Sequence, residues 1–173
     1  MEFSEVLLRR YSCRQYTDQP VNETQLKAVL QAANSAPVGM GAYDTVQLTV
    51  IRNPEFLEAL KETTRSFMNI ENDPLYGAGL LILVSARPGM PPNIEFENAA
   101  AIIENMLLAA TDQGLGCCYI MGAIAALNTN PDLVKKLSLP EGFVPVAAAA
   151  IGYEAQKAPA REPKDNLKTV YFD

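Results

Sequence analysis

The stretch Pro145-Val146-Ala147-Ala148-Ala149-Ala150-Ile151-Gly152-Tyr153 decides the architecture of this chain. Its four consecutive alanines favour helix by intrinsic propensity. Pro145 and Gly152, near its two ends, argue instead for a strand over Val144–Gly152 that is bounded by a proline and a glycine. The residues alone leave both readings open.

Outward from it, the punctuation is clearer. Pro140-Glu141-Gly142 turns the chain into the stretch, and Asn130-Pro131 opens a short helix carrying Leu133, Val134 and Leu137. Gly114-Leu115-Gly116-Cys117-Cys118-Tyr119-Ile120-Met121-Gly122 enters a strand and leaves it at a glycine. From Ile94 to Gln113, Ala99, Ile102, Ile103, Met106, Leu107 and Ala110 keep helical spacing, and Gly114 stops the helix. Leu80–Ser85 is a continuous apolar run, as in a strand buried on both faces. Asn53-Pro54 caps and begins a helix running to about Phe67, followed by a loop over Met68–Gly79; Val46–Ile51 reads as a strand. Asn22 with Gln25 forms a capping box, Val21 and Leu26 a hydrophobic staple, ahead of Val29, Leu30 and Ala33. Residues 2 to 10 place Phe3, Val6 and Leu7 at helical spacing, predicting a short amphipathic helix that ends at Arg9 and Arg10.

The 173 residues are 49% hydrophobic and 20% charged, which describes one compact domain. The net charge of -6 argues against nucleic acid or an anionic membrane as partner. Neither an apolar run long enough to span a bilayer nor a signal peptide is visible, which leads us to expect a cytoplasmic protein. Three cysteines, two of them adjacent, argue for a reducing compartment and small buried thiols. With no cation predicted beside Cys117 or Cys118, nothing is expected to activate either thiol. The chain has no histidine, which excludes Ser-His-Asp triads, Cys-His dyads and His-ligated zinc. An imported cofactor is then the economical source of chemistry.

Against that acidic background stands Arg9-Arg10-Tyr11-Ser12-Cys13-Arg14-Gln15-Tyr16, with three cations and a serine hydroxyl within six residues. Arg10, Ser12 and Arg14 alternate, so on an extended segment their side chains point the same way and could surround one phosphate. Arginines ending a helix also complement its dipole, but that leaves Ser12 and Arg14 unexplained. The small-residue loop Ser35–Asp44 could let backbone approach a flat ligand. Its Gly39-Met40-Gly41 follows a helix and precedes a strand, the reverse of a dinucleotide-binding order.

Arg-Arg-x-Ser-x-Arg-x-aromatic after a short first helix resembles the opening motif of the flavin-dependent nitroreductase family, and the resemblance extends over nearly the whole chain. Ala36-Pro37 keeps part of the family's Ala-Pro-Ser-x-x-Asn-x-Gln-Pro-Trp, though Val38, Gly41 and Tyr43-Asp44-Thr45 depart from it. Gly114-Leu115-Gly116 and its strand resemble a second block. Pro145-Val146 through Ile151-Gly152-Tyr153 matches Pro-Val-x-x-x-x-Ile-Gly-Tyr, which selects strand for the deciding stretch.

The resemblance implies an α+β layered fold, a mixed, mainly antiparallel sheet with helices on both faces, as a single domain over 1–173. It implies a flavin mononucleotide (FMN) phosphate and ribityl chain held by Arg10, Tyr11, Ser12 and Arg14 and completed by Arg161 in its Pro-x-Arg-x-Pro context. The flavin ring would lie near Ile120, Met121 and Gly122, with Pro37, Val38 and Gly39 approaching from a partner subunit in a homodimer. Residues 153–173 would be an arm on that partner. The implied activity is ping-pong hydride transfer from NAD(P)H through flavin to a nitro compound, quinone or similar acceptor, with no protein group doing acid/base work and no metal. The departures in the middle loop favour an alternative, a flavin- or nucleotide-binding protein without turnover.

Overall fold

A computed structural model describes residues 1–172. The elements run α1 (Phe3–Arg9), α2 (Glu23–Asn34), β1 (Val46–Ile51), α3 (Pro54–Met68), β2 (Leu81–Ala86), α4 (Ile94–Asp112), β3 (Gly116–Ile120), α5 (Gly122–Leu127), α6 (Pro131–Lys135) and β4 (Val144–Gly152). The deciding stretch is a strand. It lies inside the sheet, whose order is β1-β2-β4-β3.

The four strands pair antiparallel throughout, so among the described residues the expected mixed sheet has only one parallel component, an isolated bridge between Ser12 and Cys117. β4 pairs with β2 from Leu81↔Ala150 to Ala86↔Val144, with a bulge at Val84/Ser85, and with β3 from Gly116↔Gly152 to Ile120↔Ala148. β3 is therefore an edge strand.

Alternation along β4 explains why alanine serves here. Ala147, Ala149 and Ile151 face α2 and α4 together with Ile82 and Val84, while Ala148 and Ala150 face α3 and α5 together with Leu81 and Leu83. Small side chains on both faces let two helix layers approach the middle of the sheet, and tertiary burial overrides the helical propensity of the run.

The predicted caps form. Gln25 N donates to Asn22 Oδ1 at 2.9 Å and Asn22 N to Gln25 Oε1 at 3.3 Å, while Phe56 N donates to Asn53 Oδ1 at 2.8 Å. α1 is less amphipathic in place than in sequence: Val6 is buried against the body, but Phe3 is 66% exposed and Leu7 is exposed as well. Ala99 and Ala110 of α4 belong to the core, whereas Ala100 remains on the surface.

Candidate functional site

The segment after α1 is strapped along the start of edge strand β3. Cys13 N donates to Cys117 O at 2.9 Å, forming the Ser12–Cys117 bridge. Three residues on, Tyr16 pairs with Glu154, its hydroxyl donates to Ala150 O at 3.2 Å, and its ring covers Gly152. Small residues in β4 make room for that ring, so residues 11–16 are fixed at both ends.

Between this strap and residues 156–159 lies a cleft of about 500 Å³ lined by Tyr11, Ser12, Arg14 and Lys157 among others. The Tyr11 hydroxyl donates to Gln156 O at 3.1 Å across one end, and burial with nearby Cys13 and Glu154 pushes its pKa up to about 12. Among the described residues no carboxylate lies within ion-pair distance of Arg14; its guanidinium is instead 5.9 Å from the centroid of the Tyr76 ring. Arg10, which caps α1, has one distant acidic neighbour, Glu104 at 3.9 Å. The cleft is thus a place where positive charge is incompletely compensated on an acidic protein.

The thiols report the same field. Burial raises the Cys118 pKa, opposed by Arg14, by a hydrogen bond from Ser12 and by Arg10. Cys117 is pushed up to about 12 by burial, against Thr111 and Arg10. The expectation that no cation would stand near these cysteines is corrected, but desolvation wins and both remain thiols.

Beyond the Ser12–Cys117 bridge, no strand among the described residues pairs with the outer edge of β3. Ile120 is buried, Met121 exposed, and Gly122 begins α5 with the Met68 sulfur 3.1 Å from where a Cβ would project. Sequence patterning ended the strand at Gly122 without a helix after it; the helix that it opens is six residues long, too short to show a period.

Not every expected site residue converges in one chain. Pro37, Val38 and Gly39 lie over the first turns of α4, where Gly39 N donates to Asn98 Oδ1 at 2.9 Å and a Cβ on Gly39 would meet Ile94 Cδ1 at 2.7 Å. Arg10 lies beside Glu104, and Cys117 Sγ near Leu107 O, further down the same helix. The two groups do not share a pocket. Arg161 also stands apart: its guanidinium donates to Leu7 O at 2.8 Å and more weakly to Leu8 O at 3.4 Å, capping the negative end of α1 rather than lining the cleft. Two side chains that sequence reasoning passed over, Tyr76 and Lys157, border the site.

Comparison with known proteins gives this arrangement a setting. A model of the Nitroreductase family matches residues 7–153. A protein of Archaeoglobus fulgidus assigned as an NADH dehydrogenase/NAD(P)H nitroreductase is 26% identical over 96% of this chain and 93% of its own length. An FMN reductase (NAD(P)H) of Bacillus subtilis is 25% identical over 88% of this chain and 66% of its own. Among solved structures, a Bacteroides fragilis nitroreductase with bound FMN superposes with TM-score 0.84 at 27% identity, covering 99% of this chain and 100% of that one. A Desulfitobacterium hafniense nitroreductase at 22% identity shares the fold, with TM-score 0.86 over 99% of each chain.

Proposed function

The chain belongs to the Nitroreductase family, and on that premise we propose that it is an FMN-dependent oxidoreductase passing hydride from NAD(P)H to a nitro compound, quinone or similar small acceptor. The observation that carries the proposal is the cleft at the start of β3, whose cations lack full compensation, with the Ile120–Gly122 segment at the far end of the same strand. FMN-bound and FMN-reducing relatives supply the identity of the ligand.

The donor set fits a phosphate. Arg14 and the Ser12 hydroxyl present charge-assisted and neutral donors at one mouth, with Lys157 opposite and Arg10 adding field from the end of α1. Bound there, FMN supplies the two-electron chemistry between nicotinamide and acceptor. The chain's own contribution is position and electrostatics. Backbone donors near Met121 and Gly122 face the end of the site where negative charge develops, and preorganised donors in a water-poor site stabilise such charge strongly. Arg161 serves the site at one remove, by fixing the arm against α1.

We place Pro37–Gly39 of a second copy over the ring in a homodimer, because one chain leaves those residues away from the cleft and leaves Phe3, Leu7, Val170, Tyr171 and Phe172 exposed. Residues 153–173, of which Asp173 lies outside the described residues, are on this reading the arm of a single domain, with 153–172 packing on the partner. Cys13, Cys117 and Cys118 are all free and buried, which suits a cytoplasmic, reducing setting.

The test is spectroscopic. Purified protein should carry a flavin spectrum that bleaches anaerobically on adding NADH or NADPH and returns with a nitroaromatic or quinone. A bound flavin that neither nicotinamide reduces makes this a binding protein without turnover; a colourless protein that ignores added FMN sinks the proposal.

A further inference from the structure

Arg14 is oriented by an aromatic ring where a carboxylate is the commoner neighbour of an arginine. The geometry points to Tyr76 as a positioning residue, holding the Arg14 guanidinium by its face so that its edge donors stay free for the anionic group of the cofactor. This rests on the reading of the cleft as an FMN site.

Three observations support it. First, the guanidinium carbon lies 5.9 Å from the Tyr76 centroid, within the range of cation–π attraction, and Arg14 has no ion-pair partner among the described residues. A carboxylate would orient Arg14 equally well, but would cancel its charge and occupy two of its five N–H donors. A ring holds the cation through its face and leaves every donor available.

Second, the ring is held in place at a backbone cost. Tyr76 has φ of 60°, a conformation that a bulky residue seldom adopts. The turn that imposes it is built by Asp73, whose Oδ1 accepts from Leu75 N at 2.8 Å and whose Oδ2 accepts from Gly77 N at 2.9 Å. Lys61 approaches the same carboxylate at 3.6 Å, and Leu75 anchors the turn with its side chain fully buried. Gly77, at φ of 82°, continues the left-handed path.

Third, the turn is joined to the strap itself, since Tyr16 N donates to Tyr76 O at 3.3 Å. Ring and arginine therefore belong to two segments tied together two residues beyond Arg14. That connection gives the ring a fixed position relative to the cation it faces.

The experiment titrates FMN into flavin-free full-length protein. Tyr76→Phe should bind within about twofold of the wild type, and Tyr76→Leu should weaken binding roughly three- to tenfold. In an Arg14→Ala background the Leu substitution should change nothing further. Because Leu could disturb the turn, phenylalanine and its mono-, di- and trifluorinated forms at position 76 provide a size-matched series, and affinity should fall stepwise as fluorine drains the ring face. A flat fluorine series, or an equal Tyr76→Leu effect with and without Arg14, overturns the inference while leaving the FMN site standing. A wild-type protein that binds no FMN removes the site reading and this inference together.

Discussion

The Tyr16 ring fills the space over Gly152, so that a Cβ on Gly152 would come within 2.9 Å of Tyr16 Cδ1 and 3.5 Å of Cγ. The strap that carries Ser12 and Arg14 depends on this vacancy in β4. Gly152→Ala should displace the ring from its root, at a cost of about 1–3 kcal/mol for overpacking, and lower FMN affinity as the strap shifts. Thermal melts of the flavin-free protein, paired with FMN titration, check both effects. An unchanged melt would show that Tyr16 has room to turn aside.

Arg14→Ala should weaken FMN binding by about 1.5–3 kcal/mol, the usual contribution of a hydrogen bond to a charged group, while leaving the melting temperature of the flavin-free protein unaltered. The fold should tolerate the change because Arg14 is exposed. If the dissociation constant does not move, Arg14 is a solvated surface cation and the phosphate lies elsewhere.

Alkaline pH should destabilise the fold through the buried thiol at Cys117. Burial raises its pKa from an ordinary 9.0 to about 12, so between those values the unfolded chain holds fewer protons than the folded one. The sign is then fixed: this contribution is fully present below pH 9, is lost as pH climbs toward 12, and has a slope of at most about 1.4 kcal/mol per pH unit. Cys118 is raised in the same direction, as is Tyr16. Urea denaturation from pH 7 to 11 should show the loss, and Cys117→Ala should make the alkaline limb shallower. Neither Cys117 nor Cys118 should be needed for turnover, and a double alanine variant that binds flavin but passes no electrons would contradict that.

Light scattering on the flavin-loaded protein should return the mass of two chains, since a site completed by Pro37–Gly39 of a second copy requires a dimer. Obligate interfaces of this sort bury more than ~2,000 Å², so dilution should release flavin and dissociate the chains together. One chain's mass with flavin still bound defeats the shared-site arrangement.

Most of the scaffold was legible because its signals are local. Asn22 with Gln25 and Asn53 with Pro54 announce helix starts through hydrogen bonds formed within three residues, and both caps form. The run expected as a doubly buried strand over Leu80–Ser85 forms β2 at Leu81–Ala86, which is buried at every position. β4 needed more than local signals, since alanine propensity pointed to helix and only the sheet environment reverses it. The site was legible in part. Tyr11, Ser12 and Arg14 meet in one cleft, but the role of Arg161 depends on where an arm with no regular structure happens to lie, and it caps α1. Tyr76 gave no sequence signal, because an aromatic before a glycine in a loop says nothing of the cation it will face. The Phe3–Val6–Leu7 pattern over-predicted burial within one chain, as a period shows which residues share a face and not what covers it.

The strap has a consequence for the order in which the molecule can be made. The contacts that hold the strap and close the cleft join residues 134 and 145 positions apart, Tyr16 to Ala150 and Tyr11 to Gln156. Non-local closures of this size are entropically expensive and form late. A nascent chain lacks the far wall of its cleft until residues 156–159 have been joined, so flavin can be captured only once the loop from Tyr11 to Gln156 has closed. In refolding, quenching of added flavin fluorescence should therefore lag behind the recovery of β-sheet circular dichroism.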